Sequence, residues 1–452
     1  MKRFMPLRYV VPALMMSAFV GFSCHAQQSR TDFAADRAVC GDNYFAYPDP
    51  VGVSLTPAPK GYEVCYMSHY GRHGSRYLIG KKTYERAYNT LKEAEENGAI
   101  TPLGKKLMGE LDIIRKDAQG HIEELTKRGA EQHRGIAHRM YENYPELFAG
   151  NKKIEARSST VVRCILSMAN EVAELQGLNP NLQIDMDASA GDMHYIIYED
   201  ENLKKQRKPK GSPADSAYTA FVHRHYDPAR LMNSLFTSED YWREHVRDAR
   251  NFVTDYIWKV AVNVQSTELR HTLSLYDYFT DEELYQLWLT RNANWYITHG
   301  PSPLNGGKQI FYQRNLIRKI VAQADSCLAM IEQTEPGKQP LTANLRFGHE
   351  VVVMPTVCFL NLNGYGKQYD DLEQLEPNGW YSYRIFPMAS NIQMVFYRKS
   401  GSPTLVKVLL NEREATMPQL TPAYGGIYYK WDDVKKYCVD KKKEYEETRE
   451  GE

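Results

Sequence analysis

The sequence predicts an α/β fold, in which a sheet flanked by helices is interrupted by a mostly helical insertion. Two observations carry this. The order strand, polar turn, helix occurs twice in the first half of the chain, the grammar of an α/β sheet, and strand-like runs return after residue 300. Between them, residues 185–300 are rich in Tyr, Trp and charge, with helical stretches and few strand-like runs.

The elements follow in order. Residues 27–60 are polar and turn-rich and are expected to wrap the surface. Tyr62 to His69 (YEVCYMSH) is a β-prone run delivering the turn Arg72-His73-Gly74. A helix is expected over Thr83 to Asn97, with Thr83 as N-cap and Asn97-Gly98 as the stop. A second helix runs from Leu125-Thr126 and Gly129 to about Tyr144, closed by Pro145. Lys153 to Ala156 reads as a strand ending at Arg157-Ser158-Ser159-Thr160. The helix after it is expected to bury Val162, Ile165, Leu166, Ala169, Val172 and Ala173. After the insertion, Leu345 to Glu350 closes an extended segment before a helix through Leu360. Asn391–Lys399 and Thr404–Asn411 read as neighbouring strands, and Lys441 to Glu452 as a frayed end. The expected division is 1–26 as a removable leader, 27–184 and 301–452 as the two parts of the α/β core, and 185–300 as the helical cap.

The leader is read from Lys2, Arg3 and Arg8, the apolar run Val10 to Phe22, and the small residue Ala26. A run of about 13 apolar residues is short of the roughly 20 that span a bilayer. Export to a periplasm or the exterior is therefore expected; lipidation at Cys24 is disfavoured because Gly21-Phe22 fits a lipobox poorly. Cleavage leaves 53 Lys+Arg against 56 Asp+Glu, a formal charge of −3, so bulk electrostatics point to no nucleic-acid or membrane partner. Six cysteines would remain, an even number that permits disulfides. Cys65, Cys164 and Cys358 lie in apolar periodic segments that favour buried thiols. No cysteine or histidine cluster has zinc-ligand spacing, so no metal or cofactor is implied.

The chemistry lies at the ends of predicted strands. Metal-free hydrolysis of a phosphate monoester needs fixed cations on the phosphoryl oxygens, an in-line nucleophile and a proton for the leaving alkoxide. Arg72 and Arg76 flank His73, and Gly74 is expected to allow a tight turn. Arginine binds two phosphate oxygens at once and keeps its charge; neutral histidine can attack phosphorus.

The run Arg72-His73-Gly74-Ser75-Arg76-Tyr77 resembles the R-H-G-x-R signature of the histidine acid phosphatase branch of the phosphoglycerate mutase-like superfamily, which includes phytases and multiple inositol polyphosphate phosphatases. Four further segments resemble family blocks in the same order: Leu125 to Gly129, Arg157 to Thr160, Phe347 to Glu350, and Phe386 to Asn391. The resemblance implies a Rossmann-type, mostly parallel sheet with an α-helical cap. It implies His73 as nucleophile, Arg72, Arg76 and Arg157 gripping the phosphoryl group, and His349 as a further donor, with Arg163 in a supporting place. Glu350 departs from the pattern: it stands directly after the histidine, where acid phosphatases of the superfamily have Asp and inositol polyphosphate phosphatases read His-Ala-Glu. It is assigned as the proton donor, active when protonated. The contexts of Tyr77 and Phe347 and the Tyr-rich insertion lean toward the inositol polyphosphate side.

The expected function is that of an exported, metal-independent, monomeric phosphomonoesterase acting on a small-molecule substrate such as phytate. The alternatives are a broad-specificity acid phosphatase and a phospholigand-binding protein with impaired turnover. A mutase is disfavoured because Ser75, not an acid, follows Gly74. The basic run Lys204 to Lys210 is read as a solvated loop, and His69 as a packed strand-end histidine.

Overall fold

The computed structural model describes residues 28–333 and 340–450; the expected leader and Cys24 lie outside them. The eight-stranded sheet has the order β3-β2-β4-β1-β5-β6-β7, where β1 is Glu63–Arg72, β2 Lys153–Ser158, β3 Gln183–Asp187, β4 Leu341–Gly348, β5 Asn391–Arg398, β6 Leu405–Leu410 and β7 Arg413–Ala415. Strands β3, β2, β4 and β1 run parallel. From β5 onward the pairing is antiparallel, and β8 (Tyr428–Lys430) shares the outer edge of β6 with β7. The site lies on the parallel block. Its register places Arg72 opposite Gly348 and Phe347 opposite Ser158, so three strands end level at their carboxyl edge. Open α/β sheets bind ligands at this edge.

Strand β1 reads as a nearly continuous apolar run because both faces of the sheet are covered. Its Met67 packs with Ala343, Leu345 and Phe347 against helices α3 (Lys127–Asn143) and α4 (Val162–Leu178), through Ile136, Met140, Met168 and Val172. Its Tyr66 and Tyr70 belong to the core on the opposite side, which continues into the helical region.

Residues 188–313 hold helices and turns and no strand of the sheet, so the helical insertion is present, although the expected boundary at 185 falls inside β3. The region also recruits earlier chain. Helices α1 (Lys81–Glu96) and α2 (Pro102–Asp117) join it, stitched by Thr101 N donating to Leu235 O (3.0 Å) and Thr237 N to Ala99 O (2.9 Å). Helix α6 (Asp281–His299) packs on α5 (Pro213–His225) and on the turn Arg37–Tyr44. The expectation that residues 27–60 wrap the surface is thus corrected: Cys40 to Tyr44 are buried.

Other local differences have simple causes. Helix α1 starts at Lys81 after Gly80, so Thr83 lies inside it and caps nothing. Thr126 does cap α3, its hydroxyl accepting from Gly129 N at 3.1 Å. The expected frayed end is helical from Trp431 to Glu450 (α9), packed beside α7 (Arg314–Gln333). Helix α8, Glu350–Phe359, follows β4 directly. In α4 the expected apolar face is displaced: Val162 and Leu166 are exposed, while Arg163, Cys164, Ser167 and Glu171 are buried. A face turned toward a polar site is not the most apolar one. All six cysteines from Cys40 onward are buried thiols, and no disulfide joins them among the described residues.

Candidate active site

The loop after β1 is fixed by its backbone. Arg72 N donates to Ser390 O (2.7 Å), His73 N to Gly348 O (2.9 Å), and Ala389 N to His73 O (3.0 Å). Gly74 N donates to Ser167 Oγ (3.1 Å) and Ser75 N to Gln132 Oε1 (2.8 Å). The block Phe386 to Asn391 therefore acts as a backbone cradle for the loop. Gly74 is needed for close approach and not, as expected, for a turn: a Cβ there would lie 2.4 Å from Gly129 O. This packs the amino end of α3 directly on the loop.

His73 is 1% exposed, and its Nδ1 lies 2.9 Å from Gly74 O. A carbonyl can only accept, so Nδ1 carries the hydrogen and Nε2 presents its lone pair. Burial, then the charges of Arg72, Arg76, His349 and Arg163, hold His73 well below the usual histidine range. The ring is neutral at ordinary pH.

Three guanidiniums surround it. Arg72 is fully buried, with Nη1 donating to Asn43 O (2.5 Å) and Phe386 O (3.0 Å). Its Nε and Nη2 lack hydrogen-bond partners, although Nε lies 3.1 Å from Glu350 Oε2 as an ion pair. Arg76 donates Nη1 to Tyr77 O (2.9 Å), and Arg163 donates Nη1 to Glu123 Oε2 (3.3 Å); the Nε of each has no partner. Burial lowers both Arg72 and Arg163 from their ordinary values. Buried cations with unused donors form a site that an anion completes. The amino end of α8 adds its partial positive charge.

Arg157 does not take part, which corrects the sequence reading. Along β2, Ile154, Ala156 and Ser158 face inward, and Arg157 points to the other side. There Nη2 binds Asp185 Oδ2 (2.6 Å) and Glu155 Oε1 (2.8 Å), tying β2 to β3. Arg163, from the first turn of α4, supplies the charge instead.

His349 occupies the position before α8 without a side-chain capping bond; its Nε2 lies 3.3 Å from Ser159 Oγ, and its ring centroid 5.5 Å from that of His73. Burial lowers it to about 4. Gly348 is obligatory because a Cβ there would meet Tyr70 Oη at 1.9 Å. Glu350 places Oε2 3.8 Å from His73 Nε2, with its side chain 13% exposed. Burial alone would raise its pKa, but Arg72 and Arg76 outweigh this and bring it down to about 2. The resting Glu350 is thus ionised, because it is ion-paired with Arg72 and lies in the field of Arg76, whereas the expected role as proton donor needs its protonated form. His73, His349 and Glu350 bring one ligand atom each within 4.8 Å of one another, a set that could hold a cation. The facing guanidiniums oppose a cation by like-charge repulsion.

Some residues at the site carried no sequence signal. Asn43 donates Nδ2 to Glu350 Oε1 at 3.4 Å, and Ser167 and Gln132 hold the loop. His69 is the packed histidine expected, lowered by burial to about 3. In the basic run, Lys204 pairs with Glu199, and Lys208 Nζ lies 3.7 Å from the centroid of Tyr218; Arg207 stacks on Tyr312.

The family model of the histidine phosphatase superfamily (branch 2) matches residues 71–411, the stretch holding every strand-end residue above. The chain belongs to this superfamily. Comparison with curated sequences gives no match. Among solved structures, this histidine phosphatase resembles the multiple inositol polyphosphate phosphatase of Bifidobacterium longum complexed with inositol hexasulfate. The TM-score is 0.74 at 19% identity, covering 88% of this chain and 97% of that one. The phytase of D. castellii gives 0.61 at 15% (92% and 89%), and Hafnia alvei phytase 0.51 at 11% (85% and 98%). These likenesses show a shared histidine phosphatase fold. No helix among the described residues is long and apolar enough to cross a membrane.

Buried neutral histidines make stability sensitive to acid. His69, His73, His299 and His349 are all lowered, chiefly by burial. Unfolding lets each take a proton below about pH 6.5, so their contribution is present above that pH and is lost as pH falls toward the folded values. Denaturant melts between pH 7 and 5 should show stability falling by more than one proton's worth, about 1.4 kcal/mol per pH unit. A flat profile would contradict the burial of these groups as neutral rings.

Proposed function

We propose that this chain is an exported, monomeric phosphomonoesterase that needs no metal, works through a phosphohistidine on His73, and acts on inositol polyphosphates. The observation that carries the chemistry is a neutral His73 with its Nε2 lone pair facing a ring of buried guanidiniums whose donors are not all used. The substrate phosphoryl group would take those donors and displace Glu350 from its ion pair with Arg72. Its negative charge then offsets the arginines and raises the Glu350 carboxyl, which gains the proton it gives to the leaving alcohol. His73 Nε2 forms the bond to phosphorus as the ester oxygen departs. In the second step Glu350 takes a proton from water, the oxygen attacks phosphorus, and phosphate leaves His73. Support for the substrate class comes from the Tyr-rich helical region over the strand ends and from relatives of this shape that are phytases and an inositol polyphosphate phosphatase. Support for export is the basic-then-apolar start of the sequence.

The test is phosphate release, with a metal chelator present, from a panel running from p-nitrophenyl phosphate to myo-inositol hexakisphosphate. Turnover of the inositol ester, with labelled phosphohistidine trapped on the wild type, supports the reading. Binding of phosphate without hydrolysis of any member across pH 3–8 replaces it with a phospholigand-binding role.

A further inference from the structure

The turn before Asn43 is strained. Asp42 has φ 55° and ψ −121°, a conformation that β-carbon sterics make unfavourable for anything but glycine. It is nevertheless an aspartate, fully buried. Its Oδ2 accepts from Trp295 Nε1 at 2.8 Å and lies 3.3 Å from Arg291 Nε, both groups on α6 of the helical region. Backbone strain held by such grips recurs at functional sites.

The kink aims Asn43, 3% exposed, at the site in three ways. Its carbonyl accepts from Arg72 Nη1, its Oδ1 lies 3.4 Å from Arg291 Nη2, and its Nδ2 lies 3.4 Å from Glu350 Oε1. A guanidinium can only donate, so the amide oxygen must face Arg291 and the amide NH2 must face Glu350. The two carboxylate oxygens of Glu350 therefore differ. Oε1 meets a neutral donor, whereas Oε2 faces Arg72 and His73. Substrate phosphate competes for Arg72 but not for Asn43. Catalytic hydrogen bonds of this length tighten in the substrate complex.

We propose that Asn43 is a positioning residue for proton transfer: it holds Oε1 of Glu350 and so leaves Oε2 to carry the proton to the leaving oxygen. The Asp42 kink, gripped by Arg291 and Trp295, sets Asn43 in place and gives the helical region a direct hold on the acid. As His73 Nε2 bonds to phosphorus and the ester P–O bond breaks, the Oε2 proton moves to the ester oxygen and Glu350 is left a carboxylate on Asn43. The longer glutamate side chain is thereby anchored at a fixed depth. The inference rests on the phosphatase reading above.

The experiment compares wild type, Asn43→Ala, Glu350→Gln and the double variant on an alkyl phosphate and on p-nitrophenyl phosphate, whose leaving group needs little protonation. Asn43→Ala should lower kcat on the alkyl ester about tenfold, a part of the roughly 10²–10⁴-fold that acid catalysis supplies. On the aryl ester the loss should be several-fold smaller. In the Glu350→Gln background it should cost nothing further on the alkyl ester. Equal losses on both esters, or a full additional loss in the double variant, overturn the proposal. If Asn43→Ala does not fold, Arg291→Lys, which cannot hold Asp42 and Asn43 together, is read by the same ratio of losses. A wild type that hydrolyses neither ester sinks the phosphatase reading itself, before any variant is compared.

Discussion

His73→Ala should abolish the trapped phosphoenzyme and lower turnover by about four orders of magnitude or more, as happens when the nucleophile of a concerted site is removed. The guanidiniums and the loop that carries them do not depend on the imidazole. Arg72 is held by the carbonyls of Asn43 and Phe386, and Arg76 by that of Tyr77. Inorganic phosphate should therefore still bind to the alanine variant and protect it against thermal unfolding. Intact-mass measurement after acid quench reads the first outcome, and a melting curve with and without phosphate the second. A variant that still forms a phosphoenzyme would move the nucleophile elsewhere.

The second large effect separates two arginines six residues apart. Arg163→Ala removes a buried cation whose charge is felt by His73, His349 and Arg72, and kcat/KM should fall by about 10²–10³. Arg157→Ala breaks the link to Glu155 and Asp185 on the far side of β2, and kcat/KM should stay within about threefold while the β2–β3 edge loosens. Steady-state kinetics of the two variants, with circular dichroism to confirm folding, decide it. The reverse ranking would return Arg157 to the phosphoryl site.

The contrast shows where sequence reading works and where it stops. The strand-loop-helix units around His73 and Glu350 were legible because each is contiguous: an apolar run, an abrupt polar turn, then helical periodicity. Choosing between Arg157 and Arg163 was not. It depends on which face of a half-buried strand looks inward and on how α4 is rotated, and the two arginines lie only six residues apart, one at the strand end and one in the first turn of the helix. The expected apolar face of α4 failed for the same reason, since the helix turns Arg163, Ser167 and Glu171 inward and leaves Val162 outside. The charge state of Glu350 was also hidden. A residue type does not disclose the field around it, and here that field comes from arginines placed by another strand. Asn43 left no trace at all, because its role rests on a strained aspartate gripped by a helix some 250 residues away, and turn-rich composition pointed instead to an outer wrapping.

The strand order carries a consequence for how the chain is made. Strand β1 is central, yet both of its partners, β4 and β5, lie more than 250 residues downstream. As the polypeptide leaves the ribosome, β1 emerges early with both hydrogen-bonding edges unmatched and must wait until residue 398 is available. Unpaired apolar strands of this kind invite association with other chains, and pairing over such distances is slow. The contact between α5 and α6 is closer in sequence and can form while β1 waits. Nascent chains ending before β4 would hold the complete Arg72 to Arg76 signature with no sheet on which to mount it.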